Sequence, residues 1–104
     1  IFILDQRTGY EMKINIKEIN KNLFDVNIED KVETTHTIEL DDTYHLKLTK
    51  GKLEKKQLIL LSVQFLLTRE PNTAILSSFE LQLISTYFPE FENEIIVKIK
   101  ELQK

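Results

Sequence analysis

The chain has 104 residues, a formal charge of −3 and no cysteine. This length suffices for one domain with its own core, spanning residues 1–104, and leaves no room for a second core. A hydrophobic fraction of 41% and a charged fraction of 30% are typical of globular proteins rather than disordered or fibrous ones. Without cysteine, disulfides and thiolate metal sites are excluded.

The apolar segments are short. The longest, residues 58–67, is interrupted by Ser62 and Gln64, and it covers about half of the ~20 residues that a membrane span needs. The opening residues Ile1 to Asp5 lack the basic start and long apolar stretch of a signal peptide. We therefore expect a cytoplasmic protein that does not associate with a membrane.

The first part of the chain, residues 1–40, has the alternation of strands. Apolar and polar residues alternate over residues 10–17, 24–29 and 32–40, which predicts three half-buried strands. Short polar connections favour antiparallel neighbours. Residues 1–4, joined to the next strand through Arg7-Thr8-Gly9, are a candidate fourth strand that pairs with residues 10–17.

Helical signals begin after Leu40. Asp41-Asp42-Thr43 offers N-cap residues and Gly51 offers a left-handed end, which predicts a short helix between them. Residues 54–69 predict a long helix that is apolar nearly all round, so it must be covered on more than one side. Pro71 ends it.

The remaining residues predict further helices. Residues 74–78 predict one turn of helix and residues 80–88 another, which ends at Pro89. Residues 90–102 predict the last helix, with acidic residues first and lysines last. The alternation of Ile95, Val97 and Ile99 also allows a strand there, and we prefer the helix. The aromatic residues of this region are predicted to lie mainly in the core, with one of them left outside: Phe79, Tyr87, Phe88 and Phe91.

Strands followed by helices predict an α+β fold: an N-terminal antiparallel sheet of three to four strands in residues 1–40, and three to four helices in residues 41–104, packed on one face of the sheet. The helix of residues 54–69 is predicted to be the central element. One side of it would rest on the sheet, and the other would lie under the C-terminal helices.

Two proline-containing segments carry a family resemblance. The chain has Leu66-Leu67-Thr68-Arg69-Glu70-Pro71 and, further on, Tyr87-Phe88-Pro89. With Tyr44 to Lys52 and Ile75 to Phe79 in the same order, residues 23–95 resemble a family of small uncharacterised bacterial proteins. The resemblance implies the same order of elements and no particular activity, cofactor or partner.

The charges are segregated along the chain. Residues 29–42 carry a net charge of −5, from one lysine and six acidic residues. These charges could face the lysines or steer a basic partner, and the solvated face of strands is the simpler interpretation. A candidate anion-binding cluster follows directly: Lys47, Lys50, Lys52, Lys55 and Lys56. The backbone amides at the start of the long helix could join it in binding a phosphate. A solvated surface is the simpler interpretation, and the pI of about 5.4 disfavours nucleic acid.

Residues with catalytic or metal-binding chemistry are sparse. His36 and His45 are nine positions apart, a spacing that matches no two-ligand zinc motif. The serines lack a recognisable nucleophile context, and two glycines cannot form a phosphate-binding loop. We therefore predict no catalytic residue, no metal site and no cofactor.

Apolar surface is the remaining functional signal. Next to the long helix, the candidate partner surface comprises Arg69, Phe88 and Phe91. We expect a non-catalytic interaction or regulatory module that binds an unknown protein partner or a second copy of itself. The alternative is a weak nucleic-acid or anion binder that uses the cluster from Lys47 to Lys56, and an enzyme with a diffuse site is a third option.

Overall fold

The computed structural model describes residues 2–4 and 11–103, and it describes side chains from residue 12 onward. Within these residues, five strands form one sheet in the order β1-β2-β3-β4-β5. Their bounds are Phe2–Leu4, Glu11–Asn20, Leu23–Glu29, Thr34–Glu39 and Ser78–Glu80. The first four strands are antiparallel neighbours, which confirms the three predicted strands and the candidate fourth. The predicted connection at residues 7–9 lies outside the described residues.

Four helices follow the four N-terminal strands, which confirms the α+β fold. They are α1 (Asp42–Thr49), α2 (Lys55–Leu67), α3 (Leu83–Tyr87) and α4 (Phe91–Leu102). The preference for a helix at the C-terminus is also confirmed. Phe91, Ile95 and Ile99 are buried at a spacing of four, the helical period, so these residues do not continue the strand-like alternation. None of the described helices is long and apolar enough to cross a membrane.

The alternation of the strands places one face of the sheet against the helices. The buried strand residues occupy every second position: Met12, Ile14, Phe24, Val26, Ile28, His36 and Ile38. The intervening residues on the other face are polar, and they pair across strands, as Asn15 Nδ2 does with Asn27 Oδ1 at 3.2 Å. The core therefore lies between the inner face of the sheet and the helices.

α2 is the central helix, as predicted. It packs on β2 and also against α1 and α4, and each of its residues from 58 to 67 is buried or half-buried. Glu54 and Gln57 form a capping box at its start, in which the Glu54 amide donates to Gln57 Oε1 at 3.0 Å. This box satisfies amides that the first turn of a helix leaves unpaired.

Three local predictions are wrong. Val32 precedes β4 and is 56% exposed, because the strand begins only at Thr34. Residues 74–78 are not a helical turn: a 3₁₀ helix covers Asn72–Ala74, and the chain then extends into β5. The helix predicted over residues 80–88 is shorter, Leu83–Tyr87, because the segment before it pairs with the sheet.

β5 runs parallel to β4, so the sheet is mixed rather than wholly antiparallel.

Candidate interaction groove

An apolar groove of about 260 Å³ lies beside the C-terminal end of α2. One wall is formed by Leu66 and Glu70, and another by α3 and the residue after it. The chain between Ala74 and Phe79 closes the third side. The apolar lining residues are Leu66, Ala74, Ile75, Leu76, Phe79, Leu83, Ile84, Tyr87 and Phe88. Glu70 supplies the one carboxylate in the described lining, so the groove is suited to apolar side chains.

The rim of the groove exposes two large side chains. Leu76 is 48% exposed and Tyr87 is 65% exposed. The prediction that one aromatic residue stays outside therefore applies to Tyr87, which was not named as a surface residue. Sequence reasoning also missed Leu76 and Ile75, because a helical turn was predicted there. Pro71 followed by a polar residue was the available signal of a break before this segment.

Buried polar residues hold the segment before the groove against β4. Asn72, 3% exposed, donates from Nδ2 to the Val32 carbonyl and to Thr34 Oγ1, both at 2.8 Å. His36 Nδ1 lies 2.7 Å from the Leu76 carbonyl and Nε2 lies 2.8 Å from Thr34 Oγ1. Because a carbonyl can only accept, Nδ1 carries the proton and a neutral ring accepts at Nε2. These bonds fix the wall that contains Leu76.

Arg69 lies outside the groove and joins α2 to α4. Its guanidinium carbon lies 3.7 Å from the centroid of the Phe65 ring. Nε lies 3.2 Å from Glu90 Oε2, and Nη2 lies 2.7 Å from Glu94 Oε2. The pKa of Glu90 is lowered by a hydrogen bond from its own backbone and by Arg69. Arg69 is thus already engaged within the fold.

The other two members of the predicted partner surface differ from each other. Phe88 is half-buried and lines the groove. Phe91 is fully buried, with its ring centroid 5.1 Å from that of Phe65 in an edge contact. Its placement on a partner surface is therefore wrong, because the first turn of α4 directs this ring into the core. Only Phe88 of the three belongs to the groove.

Lys55, a member of the predicted anion-binding cluster, is engaged within the fold. Its Nζ contacts Asp42 Oδ1 at 2.7 Å and Asn22 Oδ1 at 2.7 Å. Lys21 contacts the same carboxylate at 2.8 Å. Hydrogen bonds from Lys21 and Lys55 lower the pKa of Asp42 to about 2, and Asp42 in turn raises the pKa of Lys21. Lys55 thus ties the β2–β3 turn to the start of α1.

Lys47 is also paired. Its Nζ lies 3.4 Å from Glu92 Oε1, and the Tyr44 hydroxyl donates to Glu92 Oε2 at 2.7 Å. Burial, followed by the hydrogen bond to Glu92, raises the pKa of Tyr44 well above its usual range. These contacts join α1 to α4.

The other three lysines of the cluster are exposed. Lys50 takes the left-handed conformation (φ 53°) that ends α1, and Lys52 and Lys56 lie on either side of Glu54. The Glu54 carboxylate accepts a bond from the backbone of the first turn of α2, where the anion was predicted to bind. Four of the five lysines are therefore at the surface, one of them, Lys47, paired with Glu92, and the helix start beside them already has an anionic cap.

Both histidines are engaged by backbone carbonyls rather than by each other. His36 contacts Leu76, as described above, and His45 Nε2 lies 2.6 Å from the Leu53 carbonyl. Within residues 2–4 and 11–103, no group of three or more histidine or acidic side chains is placed to hold a metal ion.

Comparisons with known proteins assign neither a family nor an activity. No protein-family model matches the chain, and no curated protein or solved structure is significantly similar to it. The resemblance carried by the two proline-containing segments therefore stays a prediction. What the chain binds has to be inferred from the groove.

Proposed function

We propose that this chain is a non-catalytic cytoplasmic interaction module that binds a protein partner at the apolar groove beside α2. The observation that carries the proposal is the combination of an apolar groove of about 260 Å³ with two large side chains exposed at its rim. Covering apolar surface is favourable by about 25 cal/mol per Å². Exposed aromatic and aliphatic residues around a concavity are typical of the centre of a protein interface.

The rigidity of the groove supports the same proposal. The buried side chains of Asn72 and His36 fix one wall through hydrogen bonds, and the Arg69 contacts fix the end of α2 next to another. A preorganised site loses less conformational entropy on binding than a flexible one. The groove would therefore need little conformational rearrangement when a partner binds.

Affinity purification from a native lysate tests this proposal when groove variants are included. Leu76→Glu places a charge on the rim, and Val97→Glu is the matched control, since Val97 is 53% exposed on α4. We expect a protein that the wild-type chain and Val97→Glu capture and that Leu76→Glu loses. Circular dichroism of each variant verifies that the fold is kept.

Other results of the same experiment would contradict the proposal. Capture that nuclease abolishes and that Leu76→Glu leaves intact would instead favour the anion-binding alternative, now reduced to Lys50, Lys52 and Lys56. Sedimentation velocity identifies self-association: a wild-type dimer that Leu76→Glu converts to a monomer would make the partner a second copy. A captured set that is identical for all three chains would refute the groove as the site.

A further inference from the structure

The groove lies next to a free sheet edge. Among the strands of residues 2–4 and 11–103, β5 is the last in the sheet and pairs only with β4. The Thr37 amide donates to the Ser77 carbonyl, and the Leu81 amide donates to the Glu39 carbonyl, each at 2.8 Å. In a parallel pair, alternate residues of a strand bond to the neighbour on one side. The backbone groups of Ser78 and Glu80 therefore face away from β4.

Those outward backbone groups are accessible. Ser78 and Glu80 are both exposed, and in the described part of the chain no backbone hydrogen bond outside the helices and the strand ladders reaches their amides or carbonyls. Unpaired amides and carbonyls on an edge strand are a template for a further strand. The edge thus specifies an extended backbone as its binding partner.

The pleat of the sheet connects this edge to the groove. Phe79, between the two outward-facing residues, is in register with the buried Ile38 and lines the groove. Side chains of neighbouring strands at the same register project to the same face of a sheet. A strand added outside β5 would therefore direct every second side chain toward the face of the sheet on which the groove lies.

The charges of the groove and the edge indicate which kind of segment would bind there as an added strand. Glu70 lies in the groove and Glu80 lies on the edge, while no lysine or arginine lines the described part of the groove. The Glu80 carboxylate accepts a hydrogen bond from the neighbouring Gln82 Nε2 at 3.3 Å. Pairing of two copies through β5 would place Glu70 and Glu80 of both copies in one interface, where no lysine or arginine of the described groove lining offsets them, and such like-charge juxtaposition is unfavourable. A segment of a different protein with basic residues complements this surface.

We infer that the β5 edge and the groove together bind an extended segment of a partner protein as an added strand, with apolar side chains at alternate positions and lysine or arginine beside them. The backbone bonds to Ser78 and Glu80 hold the segment extended along the edge, and the groove supplies its side-chain preference. This is recognition by strand addition. The inference rests on the proposed function and names the class of partner.

A random decapeptide display library selected on the intact chain tests this inference. Enriched peptides are synthesised, and their affinities for the wild-type chain, Leu76→Glu and Val97→Glu are measured by fluorescence anisotropy. We expect alternating apolar residues with flanking lysine or arginine, and at least tenfold weaker binding to Leu76→Glu only. N-methylation of every second peptide amide should weaken binding at least tenfold for one of the two alternating sets of amides. For the other set, it should weaken binding less than twofold.

Variants of the edge provide a second readout. Glu80→Lys should weaken the selected peptides at least fivefold. Ser78→Pro removes one outward amide and leaves the bonds to β4, a position where proline is tolerated in edge strands, and it should also weaken binding at least fivefold. Melting curves verify that both variants fold.

The outcomes separate the inference from the proposed function. Peptides with apolar residues at helical spacing that lose affinity for Leu76→Glu but tolerate amide methylation would overturn strand addition and leave the groove as a binding site. Peptides that bind Leu76→Glu as well as wild type, or the absence of any enriched groove-dependent peptide, would overturn both.

Discussion

Phe65 is the residue whose truncation should most clearly reveal how α2 is covered. Its side chain is 7% exposed, and its ring makes edge contacts with Phe91 and Phe88 at centroid distances of 5.1 and 5.9 Å. The Arg69 guanidinium lies on the ring at 3.7 Å. Phe65→Ala removes this packing at once and leaves a cavity where three elements meet.

The expected cost follows from these contacts. Truncating a buried phenylalanine to alanine costs about 3–5 kcal/mol, out of a total stability of about 5–15 kcal/mol for a domain. For a domain of this size, that loss lowers the melting temperature by roughly 12–40 °C at about 4–8 °C per kcal/mol. Since the chain contains no tryptophan, urea and thermal unfolding followed by far-UV circular dichroism is the suitable measurement.

A matched variant on the same helix makes the test specific. Leu61 is half-buried, so Leu61→Ala should cost about 1–2 kcal/mol, less than the truncation of a fully buried leucine. Both variants keep a good helix former in α2, which removes helix propensity as an explanation. If Phe65→Ala lost less than about 1 kcal/mol, or no more than Leu61→Ala, the packing of α2 under α3 and α4 would be refuted.

Three further predictions concern the polar contacts. Asn72→Ala removes the hydrogen bonds from Nδ2 to the Val32 carbonyl and to Thr34 Oγ1 and should cost about 1–3 kcal/mol in urea unfolding; an unchanged midpoint would contradict its role in holding the segment before the groove. Lys55→Met should destabilise the chain by about 1 kcal/mol, whereas Lys56→Met on the neighbouring exposed position should have no measurable effect, and equal midpoints would contradict the pairing of Lys55. The pKa of Asp42 is lowered to about 2 from 3.8, so its stabilising contribution is present above about pH 4 and is lost as the pH falls toward 2. The pKa of Tyr44 is raised, so its contribution is complete below about pH 10 and is lost as the pH rises further. Melting temperatures measured from pH 2 to 11 should therefore fall less steeply at low pH in Asp42→Asn and less steeply at high pH in Tyr44→Phe, and profiles parallel to wild type would contradict these assignments.

The local predictions succeeded where neighbouring residues determine the structure. Alternation over β2 and β3 predicted which side chains are buried, because a one-residue shift would place apolar residues such as Phe24 and Val26 in water. The start of α1 follows from Asp41, whose carboxylate accepts from the Tyr44 amide at 2.8 Å. Such contacts lie within four residues of one another and are visible in the sequence.

The candidate site could be predicted only in part. Phe88 was identified as a surface candidate and does line the groove, but Leu76 and Ile75 were assigned to a helical turn. Phe91 was assigned to the partner surface but is buried, whereas Tyr87 was not assigned to it but is exposed. Aromatic residues in short elements have no periodicity long enough to show which one faces the core.

The sequence by itself determined the order of the first four strands and of the main helices, the sheet face that is buried and the need to cover α2 on several sides, because alternation, helical periodicity and capping residues act over a few positions. The tertiary structure determined which elements pair or pack against one another. Residues 78–80 form a parallel edge strand because they pair with the edge of β4 that β3 leaves unpaired. Asn72 and His36 hold the preceding segment through hydrogen bonds that join residues 38 and 40 positions apart in the chain. The groove and the free edge of β5 exist only through these distant contacts, which no local pattern encodes.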